Sequence, residues 1–321
     1  MTELWSNLRT GRLSLRGWDW RSSVIYIGFV VILAFFSITL RDSGFLQPTN
    51  LINIINQTAT ISVMAVGMTL VISAAEIDLS VGSVAGLASV VTALAIGTWG
   101  LVPGIAAGLL TGAVVGAVNG GLVTYANIPS FIVTLGMLGV AHGGAQWITS
   151  SAPQPILDST YNTVFGGGQL GPFTVLVLWT VVVVAIGALA LSKTSFGRQV
   201  LATGGNRVAA EFSGIDTRKV KFAVLLICGI TAALAGMLYA GRLQTGRYQW
   251  GEGDELSAIA AVILGGTNLY GGKGSVIGAL FGSLMIGLIN NGLILAGLEA
   301  PQQELVRGVI IIAAVALGRR K

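Results

Sequence analysis

Long apolar runs, separated by short polar punctuation, dominate this chain. A helix needs about 20 mostly apolar residues to cross the hydrocarbon of a bilayer. Ten stretches meet or approach that length, at about 24–40, 52–74, 79–97, 101–125, 131–149, 173–191, 222–242, 255–268, 274–296 and 302–318. The eighth is short and flanked by glycine, so a broken or re-entrant element is also open there. The pattern predicts an all-α polytopic membrane protein, with residues 1–321 forming one transmembrane domain. Two hydrophilic segments stand out: 1–23 at the start, and 192–221 between the sixth and seventh runs.

Charge orients these runs. Arg9, Arg12, Arg16 and Arg21 precede the apolar stretch Val24–Leu40, which has the outline of a signal peptide. Arg41 and Asp42 follow it instead of a small-residue cleavage site, so a retained first span that starts in the cytoplasm is expected. With that start, the inner segments hold fourteen basic residues, including Lys193, Arg198, Arg207, Arg218, Lys219, Lys221, Lys273, Arg319, Arg320 and Lys321. The outer segments hold three: Arg41, Arg242 and Arg247. Basic residues concentrate on the cytoplasmic side of membrane proteins. Both termini are therefore expected in the cytoplasm, and the net charge of +5 reflects topology, not nucleic-acid binding.

Composition removes the soluble alternatives. Apolar residues make up 53% and charged residues 10%, against roughly 25% charged in a soluble domain. Mean hydropathy is +0.81. The single cysteine, Cys228, permits no intramolecular disulfide and sits in an apolar run, where a thiol behaves as a small hydrophobe. No zinc-type Cys/His cluster and no catalytic constellation are present in the sequence, and the lone histidine, His142, reads as a packing residue. The stretch 265–275 has a P-loop's glycines without its spacing, since Gly274 follows Lys273, so the chain is not expected to bind ATP.

An internal repeat is visible. Asp78-Leu79-Ser80 and Glu255-Leu256-Ser257 each precede a glycine-rich run. Each run ends in Asn-Gly, at Asn119-Gly120 and Asn291-Gly292, and a proline follows ten residues later, at Pro129 and Pro301. An offset of five spans reverses direction, so the halves are expected to be inverted-topology repeats, an arrangement common in transporters. Gly104, Gly108, Gly112, Gly116 and Gly120 fall on one helix face, and Gly274, Gly278 and Gly282 repeat the device. In lipid such a stripe is a groove for close helix approach.

The polar positions allow two roles each. Glu76 and Asp78 fall between the second and third spans, where they line a pathway or, for Asp78 and Ser80, cap the third span near the cytoplasmic surface. Asn119, Asn290 and Asn291 hydrogen-bond a transported polar solute or tie helices together. Phe131 and Trp147 stack on the face of a solute or sit in an interfacial belt. The segment 150–171 is a true loop, open either to a binding protein or to a connecting role. In 192–221, Asn206 is placed to N-cap a short helix over about 207–213, and Gly214 to end it. Two turns cannot hold a helix in water unaided, so this one needs a partner surface.

The run G-N-x-x-A-A-x-x-S-G-I at Gly205–Ile215 resembles the coupling segment of ribose-type ATP-binding-cassette permeases, the membrane subunits of bacterial monosaccharide importers. The stretches 65–83, 119–138 and 255–293 match as well, and the likeness covers all ten runs. Glu76 departs from it, because ribose members carry glycine there. The resemblance implies a permease in the bacterial inner membrane, working as a dimer with a second copy or paralogue and surrounded by lipid. It implies a cytoplasmic ATPase docked at Gly205, Asn206, Arg207, Ala209, Ala210, Glu211, Phe212, Gly214 and Ile215, which binds the ATP, and a periplasmic sugar-binding protein. This chain would then hold no cofactor of its own. Two alternatives stay open: an ion-coupled secondary transporter, and a permease for another small polar solute such as branched-chain amino acids.

Overall fold

The computed structural model describes residues 20–318. The cationic termini at 1–19 and 319–321, used above to orient the chain, lie outside the described residues. The described chain is mostly helical (78%). Its helices are α1 (Trp20–Thr39), α2 (Pro48–Ser73), α3 (Val81–Trp99), α4 (Leu101–Thr124), α5 (Ser130–Thr149), α6 (Ser159–Asn162), α7 (Val175–Lys193), α8 (Ser195–Gly205), α9 (Arg207–Phe212), α10 (Thr217–Leu243), α11 (Asp254–Leu264), α12 (Val276–Leu295) and α13 (Ala300–Gly318). Four two-residue strands, β1 (Gln154–Pro155), β2 (Gln169–Leu170), β3 (Phe173–Thr174) and β4 (Thr245–Gly246), pair as β1–β4 and β2–β3. The 150–171 segment is thus an ordered cap, pinned to the end of α10 by β1 and by the Tyr161 hydroxyl on the Met237 carbonyl.

Seven helices, α2 to α5, α7, α10 and α12, are long and apolar enough to cross a membrane among the described residues. The eighth predicted span, 255–268, is instead the 11-residue α11. At 1.5 Å per residue it is about 16 Å long, roughly half of a 30 Å hydrocarbon core. Alone, it does not cross.

The centre is a pair of helices, α2 and α10. The Arg242 guanidinium near the end of α10 reaches the Asn56 carbonyl near the start of α2, and Gly67 packs on Cys228 and Thr231. The two helices therefore run antiparallel. Around α10, α3 runs parallel (Ala85 on Gly236) and α4 antiparallel (Gly108 on Met237, Gly116 on Leu225). Around α2, α12 runs antiparallel, with Ser62 bonded to Ser283 at 2.6 Å and Gly287 on Thr58. α11 lies antiparallel to α12, through Gly265 on Gly278 and Gly282 on Ala261, and so runs parallel to α2. The α10 neighbours α3 and α4 thus have counterparts at α2, α11 and α12, pointing the other way.

The glycine stripe of α4 makes the most extended of these contacts. Gly104, Gly108, Gly112, Gly116 and Gly120 face α3 and α10, while Leu110, Val114, Val118 and Leu122 on the opposite face are exposed. A Cβ at Gly112 would overlap the Gly229 carbonyl and Ala233. Gly278 and Gly282 serve α11 in the same way; Gly274 precedes α12 and packs on Ser73.

Candidate functional site

Two polar regions interrupt the apolar bundle. The first lies at the end of the molecule where α2 finishes. There α8 and α9 form a hydrophilic elbow. The Asn206 side chain accepts from the Ala209 amide at 3.0 Å, capping α9 as its residue type predicts. At the other end, the Ile215 amide bonds the Ala210 carbonyl and the Gly214 amide the Glu211 carbonyl. Gly214 has φ +83° there, the left-handed conformation that glycine accepts without cost. Both ends of a two-turn helix are thereby fixed.

The faces of α9 are sharply different. Ala210 is 4% exposed and packs inward, whereas Val208 is 60% and Phe212 90% exposed. Ala209 also faces out. Of the docking residues expected from sequence, Ala210 therefore belongs to the bundle, and Val208, which that reading passed over, belongs to the outer face. The Glu211 carboxylate accepts from the Thr217 hydroxyl at 2.6 Å and from Arg207 Nε at 2.9 Å. These contacts hold its carboxyl below the usual range and clip α9 to the first turn of α10. Asp216 is also held low, by the Lys219 amide that it caps and by the Lys219 ammonium. Below the elbow, Gly204 packs on the Ser73 carbonyl, and the Gly272 amide donates to that same carbonyl at 3.0 Å. The former P-loop lookalike is thus a turn that joins the elbow to α2, α11 and α12.

The second region is inside the bundle. After α2 the chain turns at Ala75 (φ +60°) and runs back into the protein as far as Ser80. Glu76 is buried and pairs with Lys221 of α10. Asp78 accepts from the Ser80 amide (2.9 Å) and hydroxyl (2.6 Å), and also meets the Cys228 thiol. The Ser80 hydroxyl accepts from the Asn119 amide at 3.0 Å. Among the described residues, Asn119 Oδ1 has no hydrogen-bond partner. Three of the expected pathway residues, Asp78, Ser80 and Asn119, therefore meet in one place, and Glu76 lies about two turns of α10 away, on Lys221.

That place is not the cytoplasmic surface expected for the capping role. Asp78 sits beside Cys228, eleven residues into α10. That is about 16 Å from the start of α10, near the middle of a bilayer-spanning helix. Asp78 still organises the start of α3, but deep in the protein. Cys228 is correspondingly a hydrogen-bonding partner and not only an apolar filler.

The remaining expected residues lie elsewhere. Asn291 forms a reciprocal amide pair with Asn50, 2.9 Å each way, at the start of α2. α2 has 26 residues and is about 39 Å long, so this pair is at the far end from Glu76. It ties helices together, as does Asn119. Asn290 is half-buried nearby, and Phe131 is exposed on α5. Sequence reading missed Lys221 and Cys228 as partners of the buried acids. A signal existed for Lys221: a buried carboxylate needs a cation, and few are available near a span end.

The Glu76–Lys221 pair gives a direct test. Removing one member of a buried pair strands the other charge, at about 3 kcal/mol or more. Lys221→Met is expected to lower the melting temperature of the detergent-purified protein clearly. The double change Glu76→Met with Lys221→Met is expected to recover most of the loss.

Comparisons with known proteins bear on both regions. Residues 50–315 match the family model described as branched-chain amino acid transport system / permease component. The ribose import permease protein of Escherichia coli is 40% identical over 92% of this chain and 92% of its own length. The xylose transport system permease protein of Haemophilus influenzae is 34% identical over 91% and 94%. The L-arabinose permease protein of Azospirillum brasilense is 35% identical over 94% and 89%. No solved structure matches.

Proposed function

We propose, from the premise that the chain belongs to this permease family as a ribose-type member, that it is the membrane-spanning subunit of an ATP-driven importer carrying a monosaccharide across the bacterial inner membrane. It is a transport protein and not an enzyme. The observation that carries the docking role is α9, a fully capped two-turn helix that presents Val208 and Phe212 to a partner. An exposed phenylalanine on so short a helix is well suited to a pocket on another protein. A cytoplasmic ATPase fills that role, binds the ATP, and leaves this chain without a cofactor.

The packing supports a route for the stroke. α9 is clipped to α10 by Thr217 and Glu211. Along α10, Lys221 holds Glu76 and Cys228 meets Asp78, so movement of the elbow reaches the start of α3. The matched neighbours of α2 and α10 favour inverted repeats centred on that antiparallel pair, with alternating access arising between them. The reading includes ten segments embedded in the membrane, α11 reaching only partway, with both termini on the cytoplasmic side. It includes a second copy or paralogue across the pathway, lipid around the rim, and a periplasmic sugar-binding protein over the 150–171 cap. The names of the relatives favour a pentose.

Uptake by proteoliposomes tests the energy source. With the ATPase and a sugar-loaded binding protein, ATP is expected to drive accumulation of labelled sugar. With this chain alone and an imposed proton or sodium gradient, none is expected. Gradient-driven uptake by the chain alone would replace this account with an ion-coupled transporter.

A further inference from the structure

The segment after α10 mirrors the one after α2. From Gln244 it turns back and runs along α3 towards the middle of the protein. Gly246 packs on Ser89 and Ala93, the Tyr248 carbonyl on Gly86, and the Gly251 carbonyl on Gly82. Gly251 and Gly253 have φ +87° and +80°, which allow the sharp reversal into α11. The depth of this turn follows from α3. Asp78 meets Cys228 and Ala85 abuts Gly236, so Gly82 is level with residues 228–236 of the 27-residue α10. The turn at 251 is therefore close to mid-membrane.

At that depth the surface is polar. Gln249 and Glu252 are exposed, and among the described residues neither side chain has a hydrogen bond or ion pair. Arg247, on the same segment, is 5.5 Å over the Trp250 ring. Tyr248 is half-buried, with its ring edge-on to His142 at 5.2 Å. A carboxylate held in hydrocarbon is strongly unfavourable, so intramembrane charges face protein or water. A dry contact with a second copy would bring another unpaired carboxylate to the same surface. A water-filled passage satisfies Glu252 without either penalty.

We propose that residues 248–252 form a sugar-contacting wall of the pathway. Glu252 and Gln249 accept and donate to hydroxyls, and the Tyr248 and Trp250 rings flank them. The class of ligand is a neutral polyhydroxylated ring. This proposal rests on the import reading above.

Cysteine accessibility tests it, because the native Cys228 is buried and contributes no background. Gln249→Cys and Glu252→Cys are made in the full importer, with Leu110→Cys on the outer face of α4 as control. A charged, water-soluble methanethiosulfonate is expected to modify positions 249 and 252 in at least one nucleotide state, and to cut uptake at least tenfold. Position 110 is expected to stay unmodified. Glu252→Gln, assayed without any reagent, is expected to reduce uptake about tenfold. Unreactive cysteines in every nucleotide state, meaning a surface sealed by lipid or by a second copy, would overturn the proposal. So would modification, or Glu252→Gln, that leaves uptake within twofold of normal. Absence of ATP-driven uptake by the unsubstituted chain would instead remove the import reading, and this proposal with it.

Discussion

Replacing Gly112 with leucine is expected to reduce the amount of folded, monodisperse protein more than tenfold. The added Cβ would overlap the Gly229 carbonyl and Ala233. A backbone oxygen cannot swing aside like a flexible side chain, so α4 must move away from α10. Inserting a few methylenes into a packed core already costs about 1–3 kcal/mol. Here the displacement spreads along five glycines that pack closely on α3 and α10 over about 24 Å of helix. Small residues are what let helices associate in lipid, where burial of apolar area gives no advantage. Val114→Leu, on the exposed face of the same helix, is expected to change nothing. Size-exclusion profiles of tagged protein in mild detergent read both outcomes. Normal profiles for Gly112→Leu would mean that α4 does not pack as described.

Val208→Asp with Phe212→Asp is expected to abolish ATP-driven uptake, by at least tenfold, in a protein that elutes and melts normally. Both side chains are exposed on the outer face of α9. A carboxylate placed against an apolar pocket of a partner has no compensating cation and blocks docking. Ala209→Asp, on the same exposed side, is expected to act similarly. Ala210→Asp is expected to behave differently, because Ala210 is buried. A charge there should lower the melting temperature before any effect on uptake is read. A normal melt for Ala210→Asp and normal uptake for the double aspartate variant would together contradict this division of α9.

Much of this architecture was legible in the residues. The apolar runs marked α2 to α5, α7, α10 and α12, and the four-residue spacing of glycines marked the packed face of α4. Asn206 and Gly214 marked the ends of α9, because caps depend on local backbone chemistry. Depth was not legible. Hydropathy records how apolar a stretch is, and the Glu76–Ser80 and Gln244–Gly253 segments look like ordinary connections between spans. Both turn back into the protein, held by contacts with residues far away in sequence, such as Cys228 and Gly82. The six-residue run Trp250 to Glu255, with three acids and two glycines, was the trace of the second one. It resembles the break at Glu76–Asp78, and the repeat would have pointed to it.

The pathway residues divide along the same line. Asp78, Ser80 and Asn119 are related in space because α3 begins deep in the bundle. Asn119 and Asn291 occupy matched positions in the repeat, yet they tie helices at different places, one to Ser80 and one to Asn50. Sequence symmetry gave the residue types their positions, but the partners depend on which helix stands opposite.

The central claim is that this chain is the membrane subunit of an ATP-driven sugar importer. It is tested most directly by purifying the chain in nanodiscs with candidate ATPases from the same genome, then titrating with sugar-loaded binding proteins. The account predicts a stable complex whose ATP hydrolysis rises severalfold with one loaded binding protein. A folded chain that associates with no ATPase, or a complex whose hydrolysis is indifferent to every loaded binding protein, would contradict it.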